Sequence, residues 1–273
     1  MKNRSLPLFI LATTCLSGCQ APHSAREDDI KPSDVDINSV DDINDSNINS
    51  FASAFFYKLK SYSSYKAVTE GSTHATGFLV DVTQTISATV IKGEYSYLSN
   101  ESHSTMVNTS HVAYYKDKKA VYNDNGASYE TSSIEDYLAK YGTYPFDNSI
   151  EGYLLNDGVI VTRETSDTDH RFKVKFDKDK CTTNVKIQMR QFGGLDSDPV
   201  FIKDTVMLIT VKQDLTPVTL ELSSYYSATK IIETNCHQNY VVTYSNFDEI
   251  IQIPNLDEMT SYFSEQMLNI RLE

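Results

Sequence analysis

An alternation of apolar and polar residues within the segment 79–92 constrains the fold of this chain more than any other feature. Five apolar residues alternate there with five polar ones: Val80, Val82, Ile86, Ala88 and Val90 with Asp81, Thr83, Thr85, Ser87 and Thr89. A period of two places the two sets on opposite faces of a β-strand. The segment therefore predicts a long strand with one apolar face and one hydroxyl-rich face.

Shorter runs with strand character continue through the chain. They predict further strands at 64–71, from Tyr95 onward, and at 105–116, 119–122, 158–165, 170–178, 183–192, 203–213, 218–226, 228–236 and 239–245. About a dozen antiparallel strands have to hide their edges by closing, stacking or curving. The expected fold class is mainly β (α+β), as a large curved antiparallel sheet or half-barrel with a few helices covering its concave side.

Helical spacing occurs only in isolated places. Four apolar residues recur at that spacing in the segment 47–60: Ile48, Phe51, Phe55 and Leu59. They predict an amphipathic helix there. A capping pattern over 133–136 predicts a second helix at 133–141. The sequence also predicts a short helix at 148–156 and a terminal amphipathic helix after Pro254.

The first 19 residues resemble the signal segment of bacterial lipoproteins. Lys2 and Arg4 precede a short apolar run, which ends in the lipobox-like sequence Leu16-Ser17-Gly18-Cys19. The resemblance implies cleavage before Cys19 and acylation of that residue. The protein would then be anchored to the outer face of the bacterial cell membrane, with the outer membrane as the other choice. An ordinary signal peptide with a chance cysteine is the alternative.

An acidic segment follows over residues 20–46. It holds eight acidic and two basic residues, and its isoleucines 30, 37 and 43 are too sparse to build a core. Such a composition predicts a disordered, extended tether, with an acidic partner-binding arm as the alternative. Residues 47–273 are then one β-rich domain with a C-terminal helix. The net charge of the whole chain is −13, and this acidic excess argues against nucleic-acid binding.

The order of the predicted elements resembles the LolA/LppX-type family of lipoprotein carriers and lipid-binding lipoproteins. The resemblance rests on the leading helix 47–60, the strands 64–71 and 79–99, the helical interruption at 133–156 and the returning run 208–226. No signature residue of that family carries over. The resemblance implies a concave face that holds acyl chains. The expected partners are therefore the membrane, through the lipid anchor, and a lipid or other hydrophobic ligand.

Motifs for catalysis and metal binding are scarce. The chain has no G-x-S-x-G, G-x-G-x-x-G, G-K-[ST] or H-E-x-x-H motif. The histidines are scattered. His74, His103 and His111 fall in one β region, and they could bind a cation or act as a base only if the fold brought their side chains together. Pairs of aspartates such as Asp177 and Asp179 fit turns better than a calcium loop. We therefore expect no enzyme activity, no catalytic or metal-binding residues and no cofactor.

Two cysteines would remain once Cys15 is removed with the signal segment and Cys19 is acylated. Cys181 and Cys236 are an even pair in an exported protein, so a disulfide between them is one prediction. Such a bridge would close a long loop and stabilise the domain. Two small buried thiols are the alternative.

Two functions are compatible with these features. The leading hypothesis is a non-catalytic, membrane-anchored lipoprotein that binds or carries an apolar or amphipathic ligand such as a lipid. The alternative is a β-rich surface interaction or adhesion module that binds protein or cell-wall glycan and has no ligand cavity.

Overall fold

A computed structural model describes most of the domain that the sequence predicts. The described residues are 37–43, 48–77, 80–105, 108–141, 151–155, 158–166, 168–179, 199–230 and 232–264. They form one open antiparallel sheet of twelve strands, with three α-helices among the described elements. The predicted mainly-β class, with a large antiparallel sheet, is therefore confirmed.

The sheet is built from two series of strands that meet at its centre. The strands are β1 (Tyr65–Gly77), β2 (Val80–Lys92), β3 (Ser96–Ser104), β4 (Asn108–Lys116), β5 (Lys119–Asp124), β6 (Glu130–Ser133), β7 (Gly158–Thr165), β8 (Asp169–Phe176), β9 (Val200–Phe201), β10 (Thr205–Lys212), β11 (Pro217–Lys230) and β12 (Ile232–Ser245). Their order is β6-β5-β4-β3-β2-β1-β12-β11-β10-β8-β7, and β9 pairs with β11 beyond the end of β10. The first and last strands of the chain are thus central neighbours.

Most of the predicted strands overlap the observed ones, but β1 continues to Gly77 instead of ending at 71, and β6 and β9 were not predicted. The alternation over 79–92 forms β2, with Val82 and Ile86 buried and Thr83 and Thr85 exposed. The three strands predicted between 218 and 245 were wrong, because β11 and β12 are two long strands that meet near residue 231. Polar residues at the supposed breaks continue the alternation instead of turning the chain. The predicted strand 183–192 lies outside the described residues.

The helices begin close to where capping and spacing predicted them. They are α1 (Ile48–Ser61), α2 (Ile134–Tyr141) and α3 (Leu256–Ser264), and a short 3-10 helix spans Glu151–Leu155. At the start of α2, the backbone N–H of Asp136 donates to Ser133 Oγ at 3.1 Å, as the capping pattern predicted. No helix in the described part of the chain has the length and apolar character to cross a bilayer.

One face of the sheet carries α1 and α2, and we call it the inner face. Directly paired residues share a face, and one such row runs across five strands: Ala113, Leu98, Val90, Ala67 and Tyr244. Phe55 of α1 contacts Tyr244, with ring centroids 6.0 Å apart. Tyr137 of α2 packs in a cluster with Ala113. Two of the predicted helices therefore cover the same side.

The third helix lies on the opposite, outer face. Met259 of α3 packs with Tyr97 and Tyr114, whose side chains point away from α1 and α2. The Tyr114 hydroxyl also donates to the carbonyl of Pro254, at 2.9 Å. Strands β3 to β5 have large apolar or aromatic side chains on both faces, so each face needs a covering element.

The end of the predicted tether packs into the domain, which corrects the boundary near residue 46. Ile37, Val40 and Ile43 are all buried in the main core, around a 3-10 helix at Val40–Asp42. Val40 begins this helix, and Ile37 and Ile43 flank it on either side. Arg163 secures the turn by donating to the carbonyl of Val40 at 2.8 Å. Cys19 and the rest of residues 1–36 lie outside the described residues.

Candidate ligand-binding site on the inner face

A row of polar side chains crosses the inner face at right angles to six strands, and we call it the polar row. From β3 to β11 its members are the successively paired residues Ser104, Gln84, Thr73, Gln238 and Ser224. Thr205 continues the row on β10, because the next residue, Val206, pairs with Ser223. All except Ser104 are at most 2% exposed. The sheet register therefore brings residues from distant parts of the sequence into one buried line.

Apolar and aromatic side chains border the polar row on both sides. One neighbouring row contains Ile86, Tyr240, Leu222 and Met207, and the other contains Val82, Ala75, Cys236 and Tyr226. Nearly all of these side chains are buried below 6% exposure. Among the described residues, these three rows contain no Lys, Arg, Asp or Glu. The site is thus a strip of neutral hydrogen-bonding groups in an apolar surface.

Polar groups in the middle of the row have partners within the protein. The hydroxyls of Thr73 and Tyr240 share a hydrogen bond of 2.5 Å. Gln238 Nε2 donates to the hydroxyl of Tyr153 at 3.0 Å. Tyr153 belongs to the 3-10 helix Glu151–Leu155, which is also held to β12 because Tyr244 donates to Glu151 at 2.6 Å. The centre of the row is therefore covered and satisfied.

Polar groups toward both ends of the row are not satisfied. Gln84 Nε2 donates to Ser102 Oγ, but Gln84 Oε1 has no hydrogen-bond partner among the described residues. The hydroxyls of Ser224 and Thr205 likewise have none in the described part of the chain. A buried polar group without a partner costs about 1–3 kcal/mol, and native proteins contain few of them. Three such groups on one line are the strongest indication of a ligand site on this face.

Two solved structures resemble the chain at low similarity. A DUF1329 family protein from Desulfovibrio piger is 12% identical, with 82% of this chain and 100% of that chain covered and a TM-score of 0.29. A LolA superfamily protein from Nitrosomonas europaea is also 12% identical, with 75% and 95% covered and a TM-score of 0.26. No family model and no curated protein matches the chain.

A second polar cluster joins α2 to the inner face at β4 and β5. His111 lies between Asp124, with Nδ1 2.8 Å from the carboxylate, and Tyr137, with Nε2 2.7 Å from the hydroxyl. Tyr141 donates to the other oxygen of Asp124 at 2.6 Å. With its proton on Nδ1, His111 donates to Asp124 and accepts from Tyr137, so both ring nitrogens are engaged. This geometry holds the helix on the sheet.

The charge of Asp124 is stabilised by this cluster. The hydrogen bond from His111 lowers the pKa of Asp124 to about 2, and that from Tyr141 acts in the same direction, against the opposing effect of partial burial. Since the folded-state pKa is lowered, this contribution to stability is complete above the unfolded-state pKa of about 4. It is lost as the pH falls toward 2.

Asp124→Asn is therefore expected to lower the free energy of unfolding by about 1 kcal/mol at pH 7, a value reduced for the partial exposure of the carboxylate. The amide presents an N–H₂ group where one carboxylate oxygen stood, so it loses one hydrogen bond and the charge. Urea unfolding from pH 7 down to pH 3 should show the difference from the wild type shrinking below about pH 4. Asp81→Asn on the outer face, where the side chain is 83% exposed, is the control. A constant difference across this range would contradict the prediction.

The other sequence candidates do not converge into a site. His74 and His103 lie on the outer face, whereas His111 lies on the inner face. The carboxylate of Asp177 accepts from the backbone N–H of Asp179 at 2.9 Å, which is the expected turn chemistry. Among the described residues, no three or more His, Cys, Asp or Glu side chains are grouped to hold a metal ion.

The structure describes only one of the two cysteines in the predicted disulfide. Cys236 is 2% exposed and lies within β12, opposite Ala75 and Tyr226, instead of at a strand margin as the sequence suggested. Cys181 lies outside the described residues. The disulfide between them therefore stays a prediction.

The polar row was missed by the sequence analysis, although each strand contains a signal for it. In β2, Gln84 occupies the position between Val82 and Ile86 where the alternation calls for an apolar residue. In β11, Ser224 interrupts the same kind of series after Leu222. A polar residue at a buried position of a strand indicates either an irregularity of that strand or a functional site. Only the pairing of the strands shows that these polar residues lie on one row.

Proposed function

We propose that this protein is a membrane-anchored, extracytoplasmic lipoprotein that binds or carries an amphipathic ligand, such as a lipid, on the inner face of its sheet. It does so without catalysis. The observation that carries the proposal is the polar row, with three unpartnered buried groups between two apolar rows. A core built for stability alone gains nothing from such groups, whereas a ligand with both apolar and hydrogen-bonding parts satisfies them.

The anchoring part of the proposal has a separate basis. It is supported by the lipobox-like sequence Leu16-Ser17-Gly18-Cys19 after a positively charged and apolar start. Acyl chains on Cys19 would hold the domain at a membrane, where its ligand is found. The resemblance of the order of elements to the LolA/LppX-type family supports the ligand-binding part of the proposal instead, since carriers of that kind hold acyl chains on a concave face.

Thr205→Val provides the test, because valine has nearly the shape of threonine without the hydroxyl. The full chain is expressed with its own signal, purified in a non-ionic detergent and extracted with organic solvent, and the extract is analysed by mass spectrometry. Wild-type protein is expected to release non-covalently bound lipid, and Thr205→Val should release several-fold less. The refolded, lipid-free variant should be more stable than the wild type by about 1 kcal/mol, since an unsatisfied hydroxyl is gone.

Thr210→Val is the matched control. Thr210 lies on the same strand but on the outer face, so its substitution should change neither lipid content nor stability by more than about 0.5 kcal/mol. Wild-type protein that releases no lipid would contradict the proposal and favour the interaction module. That alternative would use the outer face, where hydroxyl-bearing and histidine side chains such as Thr83 and His74 are exposed.

A further inference from the structure

We infer that the ligand of the inner face is an uncharged acyl ester with a second hydrogen-bonding group along its chain, which bonds to the unpartnered groups of the polar row on β2 and on β11 and β10 and passes over the covered centre of the row. This inference rests on the proposed function and names the class of ligand. It distinguishes the ligand from an anionic lipid such as a phospholipid or a free fatty acid.

The absence of charge near the row argues for an uncharged ligand. Its six residues and the two rows beside it contain no Lys or Arg among the described residues. The guanidinium of Arg163, near the β7 edge of the inner face, already donates to the carbonyl of Val40. A phosphate or carboxylate on the row would be buried without a counter-charge, and burial of an unpaired charge is strongly unfavourable.

The chemistry of the unpartnered groups argues for hydroxyl and ester partners. The Gln84 side chain leaves one amide atom unpartnered in the described structure, whichever way the amide is turned, so its partner must donate or accept. The hydroxyls of Ser224 and Thr205 both donate and accept. A ligand hydroxyl is suited to Gln84 in either orientation, and an ester carbonyl accepts from Ser224 or Thr205.

The positions of these groups argue for two polar groups separated by an apolar stretch. Neighbouring strands are about 4.8 Å apart, so Gln84 on β2 is about 14 Å from Ser224 on β11 and about 19 Å from Thr205 on β10. Between them, Thr73 and Gln238 are already bonded to Tyr240 and Tyr153. The unmet hydrogen bonds are thus at two separated places, and the part of the ligand between them needs no polar group.

Three probes with acyl chains of matched length test this inference. Each is measured by its ability to displace a fluorescent acyl reporter from the full-length protein. They are the glycerol monoester of a mid-chain hydroxystearic acid, glycerol monostearate, and stearoyl lysophosphatidylglycerol. The hydroxylated ester is expected to bind about tenfold more tightly than the plain ester, which corresponds to one buried hydrogen-bonded group satisfied. The lysophosphatidylglycerol should bind most weakly.

Gln84→Leu is expected to abolish the preference for the hydroxylated ester. Thr85→Leu, one residue along β2 and on the outer face, should leave it unchanged. If Gln84→Leu does not fold, Thr205→Val takes its place. That variant should bind both esters more weakly, and the hydroxylated ester should still bind more tightly than the plain ester. Equal or tighter binding of the anionic probe would overturn the inference and leave the proposed function standing. Failure of all three probes to bind would overturn the proposed function itself.

Discussion

Gly71→Ala is expected to lower the free energy of unfolding by about 3 kcal/mol or more, or to prevent folding. A Cβ atom at Gly71 would lie 2.2 Å from the carbonyl oxygen of Asn239 and 2.5 Å from Cδ1 of Tyr240. The first contact is with backbone, so it cannot be relieved by turning a side chain. β1 and β12 join the two halves of the sheet at its centre, and a shift there disturbs both halves. Urea unfolding followed by circular dichroism measures the effect.

Gly71 also bears on the polar row through its neighbour. The ring of Tyr240 lies over Gly71, and its hydroxyl bonds to Thr73. A methyl group at position 71 would push this ring away and break that bond, so any Gly71→Ala protein that folds should also retain less lipid. Gly93→Ala is the control, because its Cβ would lie 3.5 Å from the nearest atom, the carbonyl oxygen of Tyr95. That variant should stay within about 0.5 kcal/mol of the wild type. A similar loss in both variants would contradict the close-contact explanation.

Cys19→Ser is expected to abolish lipid labelling of the protein completely. The hydroxyl of serine does not replace the thiol that accepts the lipid, so the protein should be uncleaved or released from the membrane fraction. Metabolic labelling with a radioactive or alkyne-bearing fatty acid, followed by cell fractionation, measures this change. A loss of this size is expected because acylation of one residue provides the whole proposed anchor.

Cys15→Ser is the matched control for the anchor. Cys15 lies in the same segment, upstream of the predicted cleavage position, and would be removed with it. Its substitution should leave labelling and membrane association unchanged. Undiminished labelling of Cys19→Ser would show that the lipobox interpretation is wrong.

Local patterns predicted much of the fold. The alternation that became β2, the spacing that became α1 and the cap that begins α2 all depend on residues close together in the chain. The predictions that were wrong depended on distant contacts. Gln238 fell between the predicted strands 228–236 and 239–245, yet it is fully buried in the middle of β12 and bonded to Tyr153. Ile37 was assigned to a disordered tether because its apolar neighbours are few, and the core that receives it comes from later elements.

The sequence by itself determined which residues of each strand share a face, because side chains alternate along any extended chain. It therefore determined the mainly-β class and most of the apolar surface that the sheet buries. Tertiary structure alone decided that Gln84, Ser224 and Thr205 lie on one line, since strand pairing sets which residues become neighbours across a sheet. It also placed α3 on the face opposite α1 and α2. The two halves of the polar row are joined by one pairing between residues more than a hundred positions apart, Thr73 with Gln238, and no local pattern in the sequence predicts that pairing.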